Sequence, residues 1–242
     1  IGKRVAVVGG GNTAMDTCRT AVRLGAEEVY ILYRRTKLEM PAKSTEVKEA
    51  EEEGVKFKFL VSPIEIMGED GKVNKVRLQK MKLGEPDTRG RRSPIPMEGQ
   101  EEILEVDTII AAIGQSVNIE GFEDLELTSK KTIHADENSF STNIAGVFAG
   151  GDATNKGASI AIEAIAEGKK ASGIISKYLR GEIVSNNKPY YVTNDDLTQE
   201  DFADRDKEHR PVMSYLSPEY RKTNFDEIVA GYNEEDAKKE AS

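Results

Sequence analysis

A run of glycines near the beginning of the chain has the composition and spacing of a phosphate-binding turn. Residues Gly9 to Ala14 read Gly-Gly-Gly-Asn-Thr-Ala, which matches the pattern G-x-G-x-x-A. Gly9 permits a tight turn, Gly11 lets the backbone approach a pyrophosphate, and Ala14 is small enough for a helix to pack on the preceding strand. The expected ligand is therefore the diphosphate of a dinucleotide.

The segments on both sides of this turn predict a strand, a helix and a second strand. Val5–Val8 is an apolar run typical of a buried parallel strand. A helix is expected from Asn12 to Leu24, so that Asn12 and Thr13 place free backbone N–H groups and the positive end of the helix dipole at the turn. Val29–Tyr33 predicts a second buried strand. In this setting the glycine pattern predicts a Rossmann-type dinucleotide site, with an ordinary glycine turn as the alternative.

Two arginines at the end of the second predicted strand indicate which dinucleotide is bound. Sites for NAD usually place an acidic residue here, about 20 residues beyond the glycines, to bind the ribose hydroxyls. Arg34 and Arg35 occupy this position instead, and guanidinium groups pair with a 2′-phosphate through charge-assisted hydrogen bonds. The sequence therefore favours NADP(H) over NAD(H), with two solvated surface arginines as the alternative.

A second glycine-rich motif, Gly146 to Ala153, contains a pair of glycines followed by an aspartate. Asp152 could accept hydrogen bonds from a ribityl or other polyol hydroxyl, and Gly151 would let the polyol lie against the backbone. A helix is expected from Ser159 to Leu179, and its N-terminus could stabilise negative charge on the pyrimidine edge of a reduced flavin. From the residues alone, a strand (Val147–Ala149), a turn and a capping aspartate explain the motif equally well.

The residues between the two motifs predict further strands and one helix. A helix is expected from Pro41 to Glu53, with the acidic run Glu51–Glu53 exposed to solvent at its end. Asp70-Gly71 predicts a hairpin between two strands. Residues Gly84–Gln100 are rich in glycine, proline and arginine and predict a long loop, whereas Ile103–Ile113 predicts a buried strand. Three arginines of the loop could approach a phosphate but are expected to be ordinary surface residues: Arg89, Arg91 and Arg92.

The composition limits the classes of protein to which the chain can belong. Its 242 residues carry a net charge of -9, which argues against nucleic acid as a partner because nucleic acids are bound by basic surfaces. No apolar run approaches the ~20 residues that a membrane span needs. A single cysteine, Cys18, and two histidines argue against a disulfide and a zinc site and are typical of a cytoplasmic protein. Because the sequence does not begin with methionine, we expect it to be a segment of a longer protein.

Five motifs follow one another along residues 3–179: VAVVGGGNTAMD, YRRT, EMPA, AAIGQ and GVFAGGDA. The five motifs together are specific for one protein family, whereas each of them alone occurs in many families. In this order they resemble the small (β) subunit of NADPH-dependent glutamate synthase and related FAD- and NAD(P)-dependent pyridine nucleotide oxidoreductases. In that family of flavoproteins an NADPH domain is inserted into an FAD domain, which therefore consists of two half-sequences.

This resemblance implies an α/β fold with three parts. Residues 1–112 would form a Rossmann-like, three-layer dinucleotide-binding domain with a β-meander, and residues 113–185 the C-terminal half of an FAD-binding domain. Residues 186–242 are acidic and would form an extended tail that packs on the body or on a partner. The resemblance also assigns residues to FAD: Ile113 and Gly114 at the crossover, Gly151 and Asp152 in contact with it, and Ser159, Ile160 and Ala161 at the helix start facing the flavin ring.

The function that the resemblance implies is hydride transfer from NADPH to FAD and onward to iron–sulfur centres. The first FAD half and the cysteines for iron–sulfur clusters are absent from this sequence. We therefore expect a fragment that is inactive alone and needs a larger partner subunit or the missing N-terminal half. No acid, base or metal ligand is required, and we assign no catalytic residue.

Two other classes of protein remain as alternatives. One is a dinucleotide-binding sensor or assembly module without catalysis of its own. The other is a disulfide reductase, which shares the architecture but needs a redox-active cysteine pair near the flavin. Cys18 cannot supply that pair, because it lies on the apolar side of the first predicted helix, where we expect it to be part of the core.

Overall fold

A computed structural model describes residues 1–88, 90–155, 157, 159–182, 196–204 and 209–241. Within these ranges the strands are β1 (Arg4–Val8), β2 (Glu28–Tyr33), β3 (Lys56–Phe59), β4 (Val61–Glu69), β5 (Lys72–Pro86), β6 (Arg92–Glu105) and β7 (Thr108–Ala111). The α-helices are α1 (Asn12–Arg23), α2 (Ser44–Glu52), α3 (Ala161–Leu179), α4 (Pro218–Arg221) and α5 (Glu234–Ala241). The chain divides into two compact units, Ile1–Ile113 with Lys207–Ser242 and Gly114–Asp206.

A parallel sheet in the order β3-β2-β1-β7 forms the centre of the first unit. Its central strands β1 and β2 are short, largely apolar runs, as the sequence predicts for strands buried on both faces, whereas the edge strand β3 alternates lysine and phenylalanine. Helices α1 and α2 cover one face, where Val5, Val7 and Ile31 pack against Ala14 and Cys18 of α1. Burial of this apolar surface fixes the position of α1, and with it the turn that precedes the helix.

An antiparallel sheet in the order β4-β5-β6 covers the other face of the parallel sheet. Ala6 and Leu32 of the parallel sheet pack there against Val76 and Leu78 of β5. Helices, parallel sheet and antiparallel sheet form three layers. The predicted Rossmann-like α/β fold with a β-meander is therefore confirmed.

The antiparallel sheet is longer than the sequence indicates. The hairpin at Asp70-Gly71 is confirmed, and both residues have positive φ angles, 50° and 72°. The predicted loop over Gly84–Gln100 is wrong, because β5 continues to Pro86 and β6 begins at Arg92. Pro94 and Pro96 are compatible with β6 because it lies at the edge of the sheet, where one side of the strand needs no donors.

The predicted continuous strand Ile103–Ile113 is also wrong. Its first residues belong to β6, and Ile103 is exposed. The chain then turns at Asp107, whose carboxylate accepts hydrogen bonds from the backbone N–H groups of Lys3 and Arg4, each at 3.0 Å. These bonds start β7 beside β1, so one apolar run contributes to two sheets.

Helix α3 is the main regular element among the described residues of the second unit. The predicted strand Val147–Ala149 is reduced to a single bridge between Ser141 and Phe148. Helix α3 begins at Ala161 rather than Ser159, and none of its side chains is fully buried. Three of its apolar residues are exposed to solvent: Ile162, Ile165 and Leu179. In the described part of the chain, no helix combines the length and the apolar character that crossing a bilayer requires.

Within the first unit, a cluster of buried charges joins the described end of the chain, residues 209–241, to the helices of residues 1–113. Glu53 is 0% exposed in its side chain, and its Oε1 lies 2.8–3.0 Å from guanidinium nitrogens of Arg19, Arg23 and Arg221. Arg23 Nε also donates to the carbonyl oxygen of Arg221 at 2.8 Å. The expectation of a fully solvated acidic run is therefore wrong for Glu53, because arginines distant in sequence cover it.

The acidic tail predicted over residues 186–242 is only partly within the described residues. Residues 183–195 and 205–208 lie outside them. The part from residue 209 onward is not extended throughout, since it contains α4 and α5. Ser217 caps α4 by accepting a hydrogen bond from the N–H of Tyr220, which helps to place Arg221 at the end of this short helix.

Candidate functional site

The first two glycines of the turn between β1 and α1 are required by internal packing. Gly9 has a φ angle of +149°, and a β-carbon on it would lie 2.3 Å from the carbonyl oxygen of Ala112. A β-carbon on Gly10 would lie 2.5 Å from the ring of Tyr33. Gly10 is not part of the G-x-G-x-x-A pattern, although three consecutive glycines indicate that the whole turn is sterically restricted.

The third glycine faces open space at the beginning of α1. No heavy atom lies within 4 Å of the position of a β-carbon on Gly11. Within the described residues, the N–H groups of Asn12 and Thr13 donate no hydrogen bond, and the first turn of α1 contains no acidic residue. Free donors, a positive helix end and an open approach are the features that a diphosphate needs.

Two residues that precede α2, Ala42 and Lys43, are hydrogen-bonded to this turn. The N–H of Ala42 donates to the carbonyl oxygen of Gly10 at 3.0 Å, and the N–H of Lys43 donates to Asn12 Oδ1 at 2.9 Å. These bonds hold Ala42 and Lys43 outside the helix, and the extended dihedral angles of Lys43 (φ -60°, ψ 138°) make it the N-cap. Helix α2 therefore begins at Ser44 rather than at Pro41, the start expected from the sequence. The side chain of Asn12 thus has a partner inside the protein, and the expected contact of this residue with the cofactor is left to its backbone N–H.

The two arginines that follow β2 have different environments. Arg34 is exposed, and its side chain forms no hydrogen bond or ion pair within the described residues. Arg35 is 7% exposed, and its Nε donates to the carbonyl oxygen of Arg92 at 2.9 Å. Arg34 is therefore free to bind an anion, whereas Arg35 uses one of its donors to contact the β5–β6 hairpin.

The residues assigned to FAD by resemblance lie where the first unit ends and in the second unit. Ile113 is 74% exposed, and Gly114 and Gly151 have positive φ angles of +95° and +78°. Asp152 Oδ1 accepts a hydrogen bond from the N–H of Ser159 at 3.1 Å. The carboxylate thus organises the loop before α3 and does not cap the first helical turn directly.

The beginning of α3 already carries a negative charge. Ile160 is the N-cap residue and Ala161 the first helical residue, and Glu163 lies in the first turn. The hydroxyl of Ser159 donates to the Glu163 carboxylate. This carboxylate interacts favourably with the helix dipole. The N-terminus of α3 therefore offers less positive potential to a flavin than a helix start without an acidic residue would.

A cavity of about 470 Å³ lies beside these residues, entirely within the second unit. Among the described residues its lining includes Gly151, Ser159 and one cation, Lys170. The same lining contains five carboxylates: Asp136, Glu137, Asp152, Glu163 and Glu167. Hydrogen bonds from Ser139 hold the pKa of Asp136 below its usual range. A cavity with this charge repels phosphates but accepts hydrogen bonds from hydroxyl groups.

Glu167 was not singled out in the sequence, although it positions the second motif. Its Oε2 accepts a hydrogen bond from the N–H of Gly151 at 2.6 Å. This bond links α3 to the glycine pair and so fixes the conformation at Asp152. The signal for it is weak, since a glutamate in the middle of an exposed helix is usually solvated.

Cys18 lies in the core of the first unit, as expected. Its Sγ contacts the carbonyl oxygen of Met15 at 3.1 Å, and burial raises the pKa of the thiol to about 12. A thiol with this pKa is protonated at neutral pH and does not act as a nucleophile. The single cysteine of the chain therefore has no part in disulfide chemistry.

Comparison with known proteins agrees with the motifs. The family model described as pyridine nucleotide-disulphide oxidoreductase matches residues 1–168. The β-subunit of NADP(+)-dependent formate dehydrogenase from Moorella thermoacetica is 47% identical over 180 residues, covering 74% of this chain and 25% of that protein. The small chain of NADPH glutamate synthase from Escherichia coli K12 is 45% identical over 186 residues, covering 74% of this chain and 39% of that protein.

The fold is also found in solved structures. Thioredoxin reductase from Lactococcus lactis superimposes with a TM-score of 0.61 at 24% identity, covering 74% of this chain and 53% of that one. The chain spans less than half of the length of the two curated relatives. The predicted resemblance to glutamate synthase small chains and related oxidoreductases is confirmed. With the match of the family model over most of its length, the chain belongs to the pyridine nucleotide-disulphide oxidoreductase family.

Proposed function

We propose that the first unit binds NADP(H) and is the nucleotide-binding part of a larger electron-transferring flavoprotein. The observation that carries this proposal is the open turn at Gly11, where unpaired N–H groups of Asn12 and Thr13 lie at the positive end of α1. Nothing in the packing of the unit requires Gly11 to lack a side chain. A ligand that approaches the backbone closely explains the glycine, and a pyrophosphate is such a ligand.

The residues of the chain would bind and orient the cofactors, and they would not take part in proton transfer. When bound, NADPH supplies a hydride from nicotinamide C4 and a flavin accepts it at N5. The N–H groups at the start of α1 would hold the diphosphate, and Arg34 would pair with the 2′-phosphate, with Arg35 beside it. Ala14 keeps α1 close to the sheet, so that these N–H groups point at the ligand.

The second unit would supply one half of an FAD site. Gly151 and Asp152 would bind the ribityl hydroxyls, and the segments around Ile113–Gly114 and Ser159–Ala161 would lie near the flavin ring. The carboxylates of the cavity favour hydroxyls and disfavour phosphates, which is consistent with a pyrophosphate held elsewhere. We infer that the missing first half of the FAD domain, or a partner subunit, provides that site and covers the exposed apolar residues of α3.

The onward electron acceptors would be iron–sulfur centres outside this chain. The sequence has one cysteine, whereas such clusters are held by several cysteine thiolates. The two curated relatives are subunits or chains of larger redox enzymes, as their names state. On this proposal the chain is a fragment, and its activity depends on the rest of the protein.

Replacement of Arg34 tests the choice of nucleotide. Arg34→Ala should weaken NADPH binding by about 1.5–3 kcal/mol, because a charged hydrogen bond to the 2′-phosphate is lost, and should leave NADH binding unchanged. Lys37→Ala is the matched control, since Lys37 is also exposed but is already paired with Glu51 at 2.6 Å. Dissociation constants from calorimetry measure both effects, and an equal loss for NADPH and NADH would reject the role of Arg34.

A dinucleotide sensor or assembly module is the second candidate function. It is favoured by the acidic character of the chain after residue 185, where 14 acidic and 8 basic residues could contact a partner. Addition of FAD tests the flavoprotein directly. A yellow protein that NADPH reduces supports the flavoprotein and rejects the sensor, whereas a colourless protein that binds NADPH fits either a fragment of the flavoprotein or the sensor.

A further inference from the structure

The hairpin between β5 and β6 is fixed beside the end of β2, where the adenosine of NADP(H) is expected. Arg35 Nε donates to the carbonyl oxygen of Arg92, the first residue of β6, at 2.9 Å. The N–H of Leu60 donates to the carbonyl oxygen of Arg35 at 3.1 Å, and the N–H of Met81 in β5 donates to that of Leu60 at 2.8 Å. One hydrogen bond thus connects the hairpin directly to Arg35, and two more connect β5 to Arg35 through Leu60.

The side chain of Arg92 is itself held in place by the hairpin. Its Nε donates to the carbonyl oxygen of Gly84 at 2.9 Å, and the residue is exposed. Ile95 packs so closely on Gly84 that a β-carbon there would lie 2.8 Å from it. A guanidinium fixed through Nε still has its two terminal nitrogens available for a fork-shaped pair of hydrogen bonds to an oxyanion.

The positive charge of Arg92 lies close enough to Glu39, in the turn that follows Arg34 and Arg35, to stabilise its carboxylate. Hydrogen bonds from Thr36 hold the pKa of Glu39 below its usual range, and the positive charge of Arg92 contributes in the same direction. Arg92 forms no ion pair within the described residues, and Glu39 is occupied by the N–H and hydroxyl of Thr36. Among the residues that the structure describes, no carboxylate therefore pairs with this guanidinium.

We propose that Arg92 is a second arginine of the 2′-phosphate site and pairs with that phosphate together with Arg34. Arg35 is then a positioning residue, which holds the backbone of Arg92 beside the end of β2. A doubly charged phosphate is matched better by two free guanidiniums than by Arg34 alone. The inference deepens the proposed function and rests on it, because it assigns a further residue to the same nucleotide site.

The test compares the affinities for NADPH and NADH of the full chain with those of four variants, of which Arg34→Ala was introduced above and three are new. Arg92→Ala should weaken NADPH binding about 10-fold or more, the factor expected for a charged hydrogen bond, and should leave NADH within about 2-fold. Arg91→Ala, which removes the neighbouring exposed arginine, is the control for net charge and should change the NADPH-to-NADH ratio much less. Arg92→Lys should restore part of the preference, because an ammonium keeps the charge but not the fork.

The outcomes separate a failure of this inference from a failure of the proposed function. If Arg34→Ala lowers the preference for NADPH and Arg92→Ala does not, or if Arg92→Ala weakens both nucleotides equally, the role of Arg92 is rejected and the proposed function stands. If the unmodified chain binds neither nucleotide, or does not distinguish them, both are rejected. Retained NADH affinity shows that Arg92→Ala has not disturbed the fold of the site.

Discussion

At the turn between β1 and α1, the three glycines experience different constraints. A β-carbon on Gly9 or Gly10 would lie within 2.5 Å of other atoms of the protein, whereas one on Gly11 would contact nothing within 4 Å. Gly11 also has a φ angle of -92°, which any residue adopts. Internal packing requires Gly9 and Gly10 to lack a β-carbon, whereas the described residues place no such requirement on Gly11.

This difference predicts opposite results for two alanine substitutions. Gly11→Ala should lower the free energy of unfolding by less than about 1 kcal/mol, as for a change at a helix N-cap without side-chain contacts, yet weaken NADPH binding about 10-fold or more because a methyl group occupies the pyrophosphate space. Gly10→Ala should destabilise the fold by about 1–3 kcal/mol through its clash with Tyr33. Denaturant unfolding and nucleotide titration measure both, and an unchanged NADPH affinity in Gly11→Ala would contradict the account of this turn.

The thiol of Cys18 gives a second prediction at the scale of single residues. Its pKa of about 12 lies above that of a solvated thiol, so the folded protein contains almost no thiolate at pH 8. Iodoacetamide should leave Cys18 unmodified in the native chain and alkylate it after unfolding in urea, as read by mass spectrometry. Rapid alkylation of the native protein would show that Cys18 is reactive and would reopen the possibility of thiol chemistry.

At the scale of elements, the buried charge cluster around Glu53 connects three helices. Arg19 and Arg23 belong to α1, Arg221 ends α4, and Glu53 follows α2. Arg221 is also paired with Glu52 at 2.5 Å, and this bond holds the pKa of Glu52 below its usual range. That contribution to stability is present above the pKa of Glu52 in the unfolded chain, and it is lost as the pH falls through the lower pKa of the folded state.

Removal of the central charge should destabilise the first unit strongly. In Glu53→Gln three guanidiniums would converge on a neutral amide, and breaking a buried ion pair in this way costs about 3–5 kcal/mol. Glu51→Gln, in which an exposed pair with Lys37 is lost, should cost less than about 1 kcal/mol. Urea denaturation of the two variants provides the comparison, and similar losses would mean that the cluster contributes no more than a surface ion pair.

The elements that sequence reasoning placed correctly are those specified by neighbouring residues. Three features are indicated by residues that are close together in the sequence: the apolar run Val5–Val8, the apolar side of α1 and the Asp70-Gly71 turn. Long-range contacts decided the others. Pro94 and Pro96 suggested a loop, but they lie in an edge strand, and Glu53 appeared exposed because its partner Arg221 is 168 residues away in the sequence. The contact of Arg35 with Arg92 was hidden for the same reason.

At the scale of the whole molecule, the two units differ in how completely their described residues bury apolar surface. The first unit has a complete three-layer core around the glycine turn. The second unit has an acidic cavity and a helix with exposed isoleucines. The difference between the two units could be predicted only from the order of the motifs. The sequence of α3 alone does not indicate that its isoleucines are exposed.

The most direct test of the central claim is a calorimetric titration of the purified chain with NADPH and, separately, with NADH. If the open turn at Gly11 holds a diphosphate and Arg34 pairs with a 2′-phosphate, NADPH binds with measurable heat and at least about 10-fold more tightly than NADH. Absence of heat with NADPH at millimolar concentration, or equal affinities for the two nucleotides, would contradict the account.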